Sequence, residues 1–185
     1  MDALVALTQR VSVSRLVEPA PSAEQRELLF KAALRAPDHA QLRPWRFLSI
    51  EGNARQQLGE LFVKALQENP EAAPAALDKA LAAPLRAPLL LVVIASPKEH
   101  PKVPRSEQVL SAGCAAHALL QAAHAQGLGA IWRTGELAYH PTVARGLGLA
   151  AGEQVIAFIY LGTPEGALRQ PALLAPADFV QPWQG

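Results

Sequence analysis

The chain has 185 residues, half of them hydrophobic, so we expect one domain with a sizeable core. Seventeen basic and sixteen acidic residues leave a net charge of +1 with no basic tract, a balance that argues against a nucleic-acid-binding protein. The single cysteine, Cys114, excludes an internal disulfide and any zinc site built mainly from cysteine, and it suits a reducing compartment. The first ten residues lack the pattern of a signal peptide, so we expect a cytoplasmic protein.

Two helices are predicted first, over residues 2–10 and 23–35, and the second begins with a cap formed by Ser22. Residues 46–52 then have the composition of a strand, and residues 54–67 have the periodicity of an amphipathic helix. The opening of the chain therefore predicts helix, helix, strand and helix.

Four prolines among alanines in residues 69–88 predict helix fragments in a mobile excursion that could serve as a lid. The continuous apolar run at 87–96 predicts a central strand covered on both faces. Residues 109–126 form the longest apolar stretch. His117, Gln121 and His124 recur there at helical spacing, which predicts a packed helix with a polar stripe and no membrane span.

The last third of the chain predicts a strand at 128–132, a helix at 141–147 and a strand at 153–163. The tail after Pro164 has no periodicity, and its apolar side chains need a partner surface to be ordered. This order of elements predicts one α+β domain over residues 1–185, with a small sheet.

The first polar cluster is Arg10, Ser12, Ser14 and Arg15, at the end of the first helix. Arginine forks and serine hydroxyls suit a phosphate group. Cations that favour the dipole of a helix C-terminus explain the same residues without a ligand.

The second cluster lies in a loop between a helix and a strand and holds Arg35, Asp38, His39, Gln41 and Arg43. Such loops place polar groups over a ligand while a rigid scaffold holds them. The alternative is a turn in which Asp38 accepts hydrogen bonds from nearby backbone groups.

The third cluster contains Gly127, Gly129 and Gly135 around Arg133. Glycines let the backbone approach a flat ligand, and Arg133 could face the electron-rich edge of its ring. A helix C-cap explains Gly127 without any ligand.

Other chemistry finds less support in the sequence. His117 and His124 share a helix face but have no third ligand at metal spacing, so polar packing or dimer contacts are favoured over a metal site. Cys114 is predicted to be a small buried hydrophobe. No paired carboxylates support acid–base hydrolysis.

Taken in order, the segments MDAL, QRVSVSRL, LRAPDHAQLRPWRF, KVPRSEQ, SAGCA, QGLGAIWRTG and YLGTP resemble the nitroreductase family in its short, minimal branch. The resemblance implies an α+β, three-layer sandwich with a small mixed sheet flanked by helices. It also implies a homodimer built on long central helices, with FMN bound at the interface between the subunits.

The resemblance further assigns the site. Arg10 and Ser12 would hold the FMN phosphate and ribityl chain, Arg35 and His39 would contact the flavin from across the dimer, and the backbone near Gly135 would lie at flavin N5. The residues implied to bind FMN are Arg10, Val11, Ser12, Arg35, His39, Ile131, Trp132, Arg133, Thr134 and Gly135. The residues implied to bind NAD(P) are Gln121, Ala122, Ala123, His124, Ala125 and Gln126.

Two positions depart from the family pattern. Val11 stands where many members have a second basic residue, and Ser14 stands where many have a basic residue that this chain supplies one step later as Arg15. The phosphate grip is therefore expected to depend on Arg10, and FMN retention is expected to be weaker.

The activity implied is that of an FMN flavoprotein oxidoreductase, in which NADH or NADPH gives hydride to flavin N5 and leaves before an acceptor is reduced. A nitroaromatic compound, a quinone or a similar acceptor would then take its place, without a metal or a catalytic side chain. Alternatives on the same scaffold are a dehalogenase, an enone reductase, oxygen-dependent flavin breakdown, or a flavin-binding protein with little turnover.

Overall fold

The computed structural model describes residues 1–185 as three layers, with a five-stranded sheet between two groups of helices. The helices are α1 (Ala3–Gln9), α2 (Ala23–Ala33), α3 (Asn53–Leu66), α4 (Pro74–Ala82), α5 (Arg105–Ala125) and α6 (Pro141–Gly146). The strands are β1 (Leu16–Val17), β2 (Trp45–Glu51), β3 (Leu89–Ala95), β4 (Gly129–Arg133) and β5 (Gln154–Pro164). Short 3-10 helices lie at His39–Gln41, Ala83–Arg86, Glu136–Tyr139 and Pro176–Asp178. The predicted α+β fold is confirmed.

The sheet has the order β1-β5-β3-β2, with β4 also paired to β5. Every pair of neighbouring strands is antiparallel, so the expectation of a mixed sheet is wrong. The physical reason is visible between β2 and β3. Two successive helices, α3 and α4, carry the chain away and back, so that β3 starts at the end where β2 stopped. A single crossover helix would have made the two strands parallel.

β3 is central, as its continuous apolar run predicts, and all seven of its residues are buried. Alternate side chains point to opposite faces of a strand. Leu89, Leu91 and Val93 therefore pack with α2 and α5, whereas Leu90 and Val92 pack with α3. This double burial holds the helical layers on both faces.

The predicted start of α2 is confirmed by a complete capping box. The Ser22 hydroxyl accepts from the Gln25 N–H, and the Gln25 side chain accepts from the Ser22 N–H. α5, in contrast, begins earlier than the sequence predicted. Pro104 is its N-cap, so residues 105–108 form the first helical turn instead of a loop.

The proline-rich excursion contains helix fragments, as predicted, but they are packed against α3. A Cβ atom at Gly59 of α3 would lie within 3.1 Å of the Leu81 carbonyl carbon, so this glycine permits the close approach of α4. Lid motion of this segment stays a prediction.

The surface of the single chain leaves large apolar side chains uncovered. They include Met1, Leu4 and Leu7 at α1, Leu110 on α5, and Leu173, Phe179 and Trp183 in the tail. Cys114 of α5 is exposed as well, so its predicted burial is wrong. Its helical position places it on the outer stripe with Leu110 and His117, and the core contacts of α5 come from the opposite side, at Ala112, Ala115 and Ala116.

None of the helices combines the length and the apolar character that a membrane-spanning helix requires.

One ion pair ties β2 to the start of β5. Arg46 donates from Nε to Glu153 Oε1 at 2.8 Å and from Nη2 to Glu153 Oε2 at 2.6 Å. These bonds lower the pKa of Glu153 to about 2 from its ordinary 4.5. Because the folded state depresses this pKa, the pair stabilises the fold above about pH 4.5, and the stabilisation is lost as the pH falls towards 2.

We predict that Glu153→Gln lowers the free energy of unfolding at pH 7 by about 1.5 to 3 kcal/mol, as expected for hydrogen bonds to a charged group. Urea denaturation across pH should show the difference from the unsubstituted chain shrinking below pH 4.5. Glu51→Gln is the matched control, since Glu51 pairs with Arg26 in the same two-bond geometry but its side chain is 50% exposed. Its loss should stay below about 1 kcal/mol. Equal losses in the two variants would contradict this assignment.

Candidate functional site

The segment that follows α1 runs alongside β4. Val13 donates its N–H to the Ala130 carbonyl at 2.9 Å. A Cβ atom at Gly129 would lie 2.5 Å from Leu16 Cδ2, so Gly129 serves the close packing of these segments rather than contact with a ligand. The fold thus places the first polar cluster next to the strand that carries the third.

Val11 and Ser12 line a cavity of about 180 Å³ together with Ser14, two cations, Arg15 and Arg169, and one carboxylate, Glu165. We call it the serine cavity. Arg15 and Arg169 form no ion pair. Hydroxyl groups and free guanidinium groups around one small cavity are donors that a phosphate group can use.

Arg10 ends α1, which packs against α5. Its Nη1 atom is buried without a hydrogen-bond partner. Burial, together with the nearby Arg10 guanidinium, lowers the pKa of His124. A buried donor without a partner is costly, so it marks a position where an anionic ligand would supply what the chain lacks.

The stretch 121–126 offers few groups to a ligand. Ala123 is buried in the core, and Gln126 donates its side-chain amide to the Ala122 carbonyl at 3.1 Å. Gln121 Oε1 and His124 Nε2, however, are buried without a partner. These two atoms are the polar groups of the stretch that the fold leaves unpaired.

β4 sends its predicted site residues to both faces of the sheet. Trp132 packs with the core on the α5 side, whereas Ile131 packs with the core on the α3 side. Arg133 follows the alternation to the α3 side, where its guanidinium lies 5.6 Å from the centre of the Tyr160 ring. Arg133 Nε is also buried without a hydrogen-bond partner.

Arg133, Thr134 and Gly135 line a cavity of about 380 Å³ that we call the aromatic cavity. The other lining residues are Phe62, Lys79, Ala83, Arg86, Leu137, Phe158 and Tyr160. Gly135 has φ of 73°, a backbone conformation that favours glycine, and a side chain there would meet open space. Burial raises the pKa of Tyr160, against the opposing effects of Arg133 and Arg86.

Arg35 and His39 lie at two other cavities. Arg35 lines one of about 570 Å³, and His39 lines one of about 250 Å³ that also contains Cys114. His39 Nδ1 lies 2.9 Å from a Glu107 carboxylate oxygen, a partner that sequence analysis missed. Within one chain, the segment from Arg10 to Ser12 therefore lies close to β4. Arg35 and His39 line neither the serine cavity nor the aromatic cavity.

The loop that carries His39 is strained. Ala40, Gln41 and Arg43 have φ of 62°, 52° and 49°, in the left-handed region that side chains other than glycine seldom adopt. Asp38 accepts hydrogen bonds from the N–H groups of Leu42 and Arg43 at 3.1 and 2.7 Å. The turn role considered for Asp38 is therefore confirmed.

The aromatic cavity also contains three residues that were not predicted from the sequence, namely Lys79, Arg86 and Tyr160. Strand alternation could have placed Phe158 and Tyr160 of β5 on one face, but which cations lie above them depends on how the excursion folds back. No carboxylate lines the cavity. Such an arrangement suits the binding of a flat, electron-rich ring and lacks the carboxylate pair of a hydrolase.

Gly127 has a simpler role. Its φ is 76°, and the Leu128 N–H closes the end of α5 on the Ala123 carbonyl at 2.9 Å. The C-cap explanation is confirmed.

Comparison with known proteins gives one family. The model of the Nitroreductase family matches residues 7–163. The protein of Escherichia coli (strain K12) named "Putative NAD(P)H nitroreductase YdjA" is 46% identical over 168 residues, which cover 89% of this chain and 90% of that protein.

Solved structures have the same fold. A nitroreductase-like family protein from Bacillus cereus aligns with a TM-score of 0.82 and 22% identity, over 100% of this chain and 97% of that one. A "putative nitroreductase in complex with FMN" from Desulfovibrio desulfuricans aligns with a TM-score of 0.71 and 25% identity, over 100% of this chain and 99% of that one.

The family model spans most of the chain, and a relative of similar length shares nearly half of its aligned residues. The three-layer architecture agrees with both findings. The chain is a member of the nitroreductase family.

Proposed function

We propose that this protein is an FMN-dependent, NAD(P)H-using oxidoreductase that reduces nitroaromatics, quinones or similar acceptors, and that it acts as a homodimer. One observation carries the proposal. The side-chain nitrogen and oxygen atoms that are buried without any hydrogen-bond partner belong to Arg10, Gln121, His124 and Arg133. All four residues were implied by the family resemblance to contact FMN or NAD(P). The polar groups that the fold leaves unsatisfied therefore coincide with those that the cofactors would use.

The two ends of the site fit the two ends of FMN. Arg10 Nη1 and the donors of the serine cavity suit the phosphate group, with Ser12 and the Val11 backbone beside the ribityl chain. Arg133, with the backbone of Thr134 and Gly135, suits the flavin ring at the aromatic cavity. The hydrogen bond from Val13 to β4 connects the segment proposed to bind the phosphate with the strand that leads to the flavin ring, within one chain.

FMN, when bound, supplies hydride transfer between NAD(P)H and the acceptor at its N5 atom. The chain's own residues bind and orient the reactants. Arg133 supplies the positive charge that favours an electron-rich ring, and its position over Tyr160 keeps that charge in place. Buried Phe62 and Phe158 keep water from the floor of the cavity. No side chain needs to act as a nucleophile.

A homodimer would explain why Arg35 and His39 do not line the same cavities as the other site residues of one chain. Arg35 and His39 would reach the flavin of the partner subunit, held by the strained loop and by Glu107. The outer stripe of α5 and the apolar residues of α1 and of the tail would meet the partner. An obligate interface of this kind commonly exceeds about 2,000 Å².

We predict that the chain reconstituted with FMN loses its oxidised flavin absorbance when NADH or NADPH is added without oxygen, and regains it when a quinone or a nitroaromatic compound follows. Stopped-flow absorbance measures both half-reactions. Bound flavin that neither nucleotide reduces would contradict the oxidoreductase and support a flavin-binding protein with little turnover.

We also predict that Arg10→Ala raises the FMN dissociation constant by about tenfold to 150-fold, because one charge-assisted hydrogen bond contributes about 1.5 to 3 kcal/mol. Quenching of FMN fluorescence gives the constant, and circular dichroism checks folding. Lys64→Ala removes an exposed cation of α3 and should leave the constant unchanged. Unchanged FMN affinity in Arg10→Ala would mean that Arg15 and Arg169 bind the phosphate instead.

A further inference from the structure

The aromatic cavity carries more positive charge than a flavin ring requires. We propose that it selects acceptors that are themselves anions, namely flat aromatic rings bearing a carboxylate or a comparable small acidic group, and that Lys79 and Arg86 recognise that group. This inference rests on the proposed function and names its substrate class.

Three cations from three elements meet at this cavity. Lys79 comes from α4, Arg86 from the 3-10 helix Ala83–Arg86, and Arg133 from the end of β4. None of them forms an ion pair, and none donates a hydrogen bond to another side chain. The chain as a whole is balanced at 17 basic and 16 acidic residues, so a cavity with three cations and no carboxylate is a local feature.

The floor of the cavity is aromatic. Phe62 and Phe158 are buried and meet edge to face, with ring centres 5.4 Å apart, and Tyr160 beside them is also buried. The flavin ring can lie on such a floor, and cations around the cavity can hold the acidic group of an acceptor that stacks on the flavin. The lining therefore matches an acceptor that combines a flat ring with an anion.

Like charges around one cavity repel each other, and solvent screens this repulsion where the cations are exposed. Packing of α4 against α3 at Gly59 fixes the segment that carries Lys79, and Arg133 is fixed by its strand. A bound carboxylate removes the repulsion and can accept paired hydrogen bonds from a guanidinium group.

The FMN assignment leaves two of the cations without a role. The phosphate group has Arg10 and the serine cavity, and the flavin ring has Arg133 with the backbone of residues 134–135. Lys79 and Arg86 belong to the excursion, are exposed, and line the aromatic cavity. Their charges are therefore available to the acceptor.

The test uses the full chain reconstituted with FMN and two acceptors of nearly equal size, para-nitrobenzoate and para-nitrobenzamide. We expect a higher kcat/KM for the anion. The double variant Lys79→Gln, Arg86→Gln should lower the benzoate-to-benzamide ratio on the order of tenfold or more, as expected when charge-assisted hydrogen bonds are lost. Lys64→Gln, which changes a cation of α3 outside the cavity, should leave the ratio unchanged.

A binding measurement accompanies the kinetics. Benzoate should perturb the absorbance of the bound, oxidised flavin at lower concentration than benzamide does, and the double variant should remove that difference. Equal ratios in the double variant and the unsubstituted protein would overturn the inference. So would a double variant whose only defect is a raised KM for NAD(P)H, since the cations would then bind the nucleotide.

The proposed function fails separately. Flavin that NAD(P)H cannot reduce would contradict the oxidoreductase, but the benzoate and benzamide titrations would still decide whether Lys79 and Arg86 bind an aromatic anion.

Discussion

Antiparallel pairing along both edges of β5 fixes where the candidate site lies. β3 pairs with β5 from Leu89 to Ala95, and β4 pairs with the opposite edge from Gly129 to Arg133. This register sets Arg133 against Phe158, with its guanidinium over the Tyr160 ring. The segment after α1 then joins the free side of β4 through the Val13 hydrogen bond. Because β3 is buried on both faces, the sheet that carries these groups is held by the core of the molecule.

The same scaffold keeps polar groups where it cannot satisfy them. Natural folds pair nearly all buried polar atoms, so exceptions call for an explanation. Here the exceptions lie on α5, at the end of α1 and at the end of β4, and the family resemblance had implied cofactor contacts at each. The left-handed backbone of Ala40, Gln41 and Arg43, next to His39, also costs conformational free energy. The unpaired polar atoms and the strained backbone are both explained if they form a surface that binds a ligand and a second subunit.

Much of the fold could be predicted because local signals agreed with the tertiary structure. The Ser22 capping box and the continuous apolar run of β3 both specify their elements within a few residues. β1 was missed because two residues, Leu16 and Val17, carry no periodicity and owe their strand to pairing with β5. Cys114 was misplaced because an alanine-rich helix does not reveal which side meets the core. Of the site, the clusters at Arg10 and Arg133 were visible in sequence. Lys79 and Arg86 were not, since their place depends on how α4 folds over α3.

The central claim is that one flavin site draws on both subunits, and mixing two defective variants tests it most directly. Arg10→Ala removes a group from one side of the interface, and His39→Ala removes a group from the other. Each homodimer should bind FMN poorly. After the two variants are mixed and allowed to exchange subunits, each heterodimer should contain one site with both groups intact, so tight FMN binding should return in fluorescence titration. Binding that stays as weak in the mixture as in the separate variants would mean that each chain builds its site alone, and it would contradict the account.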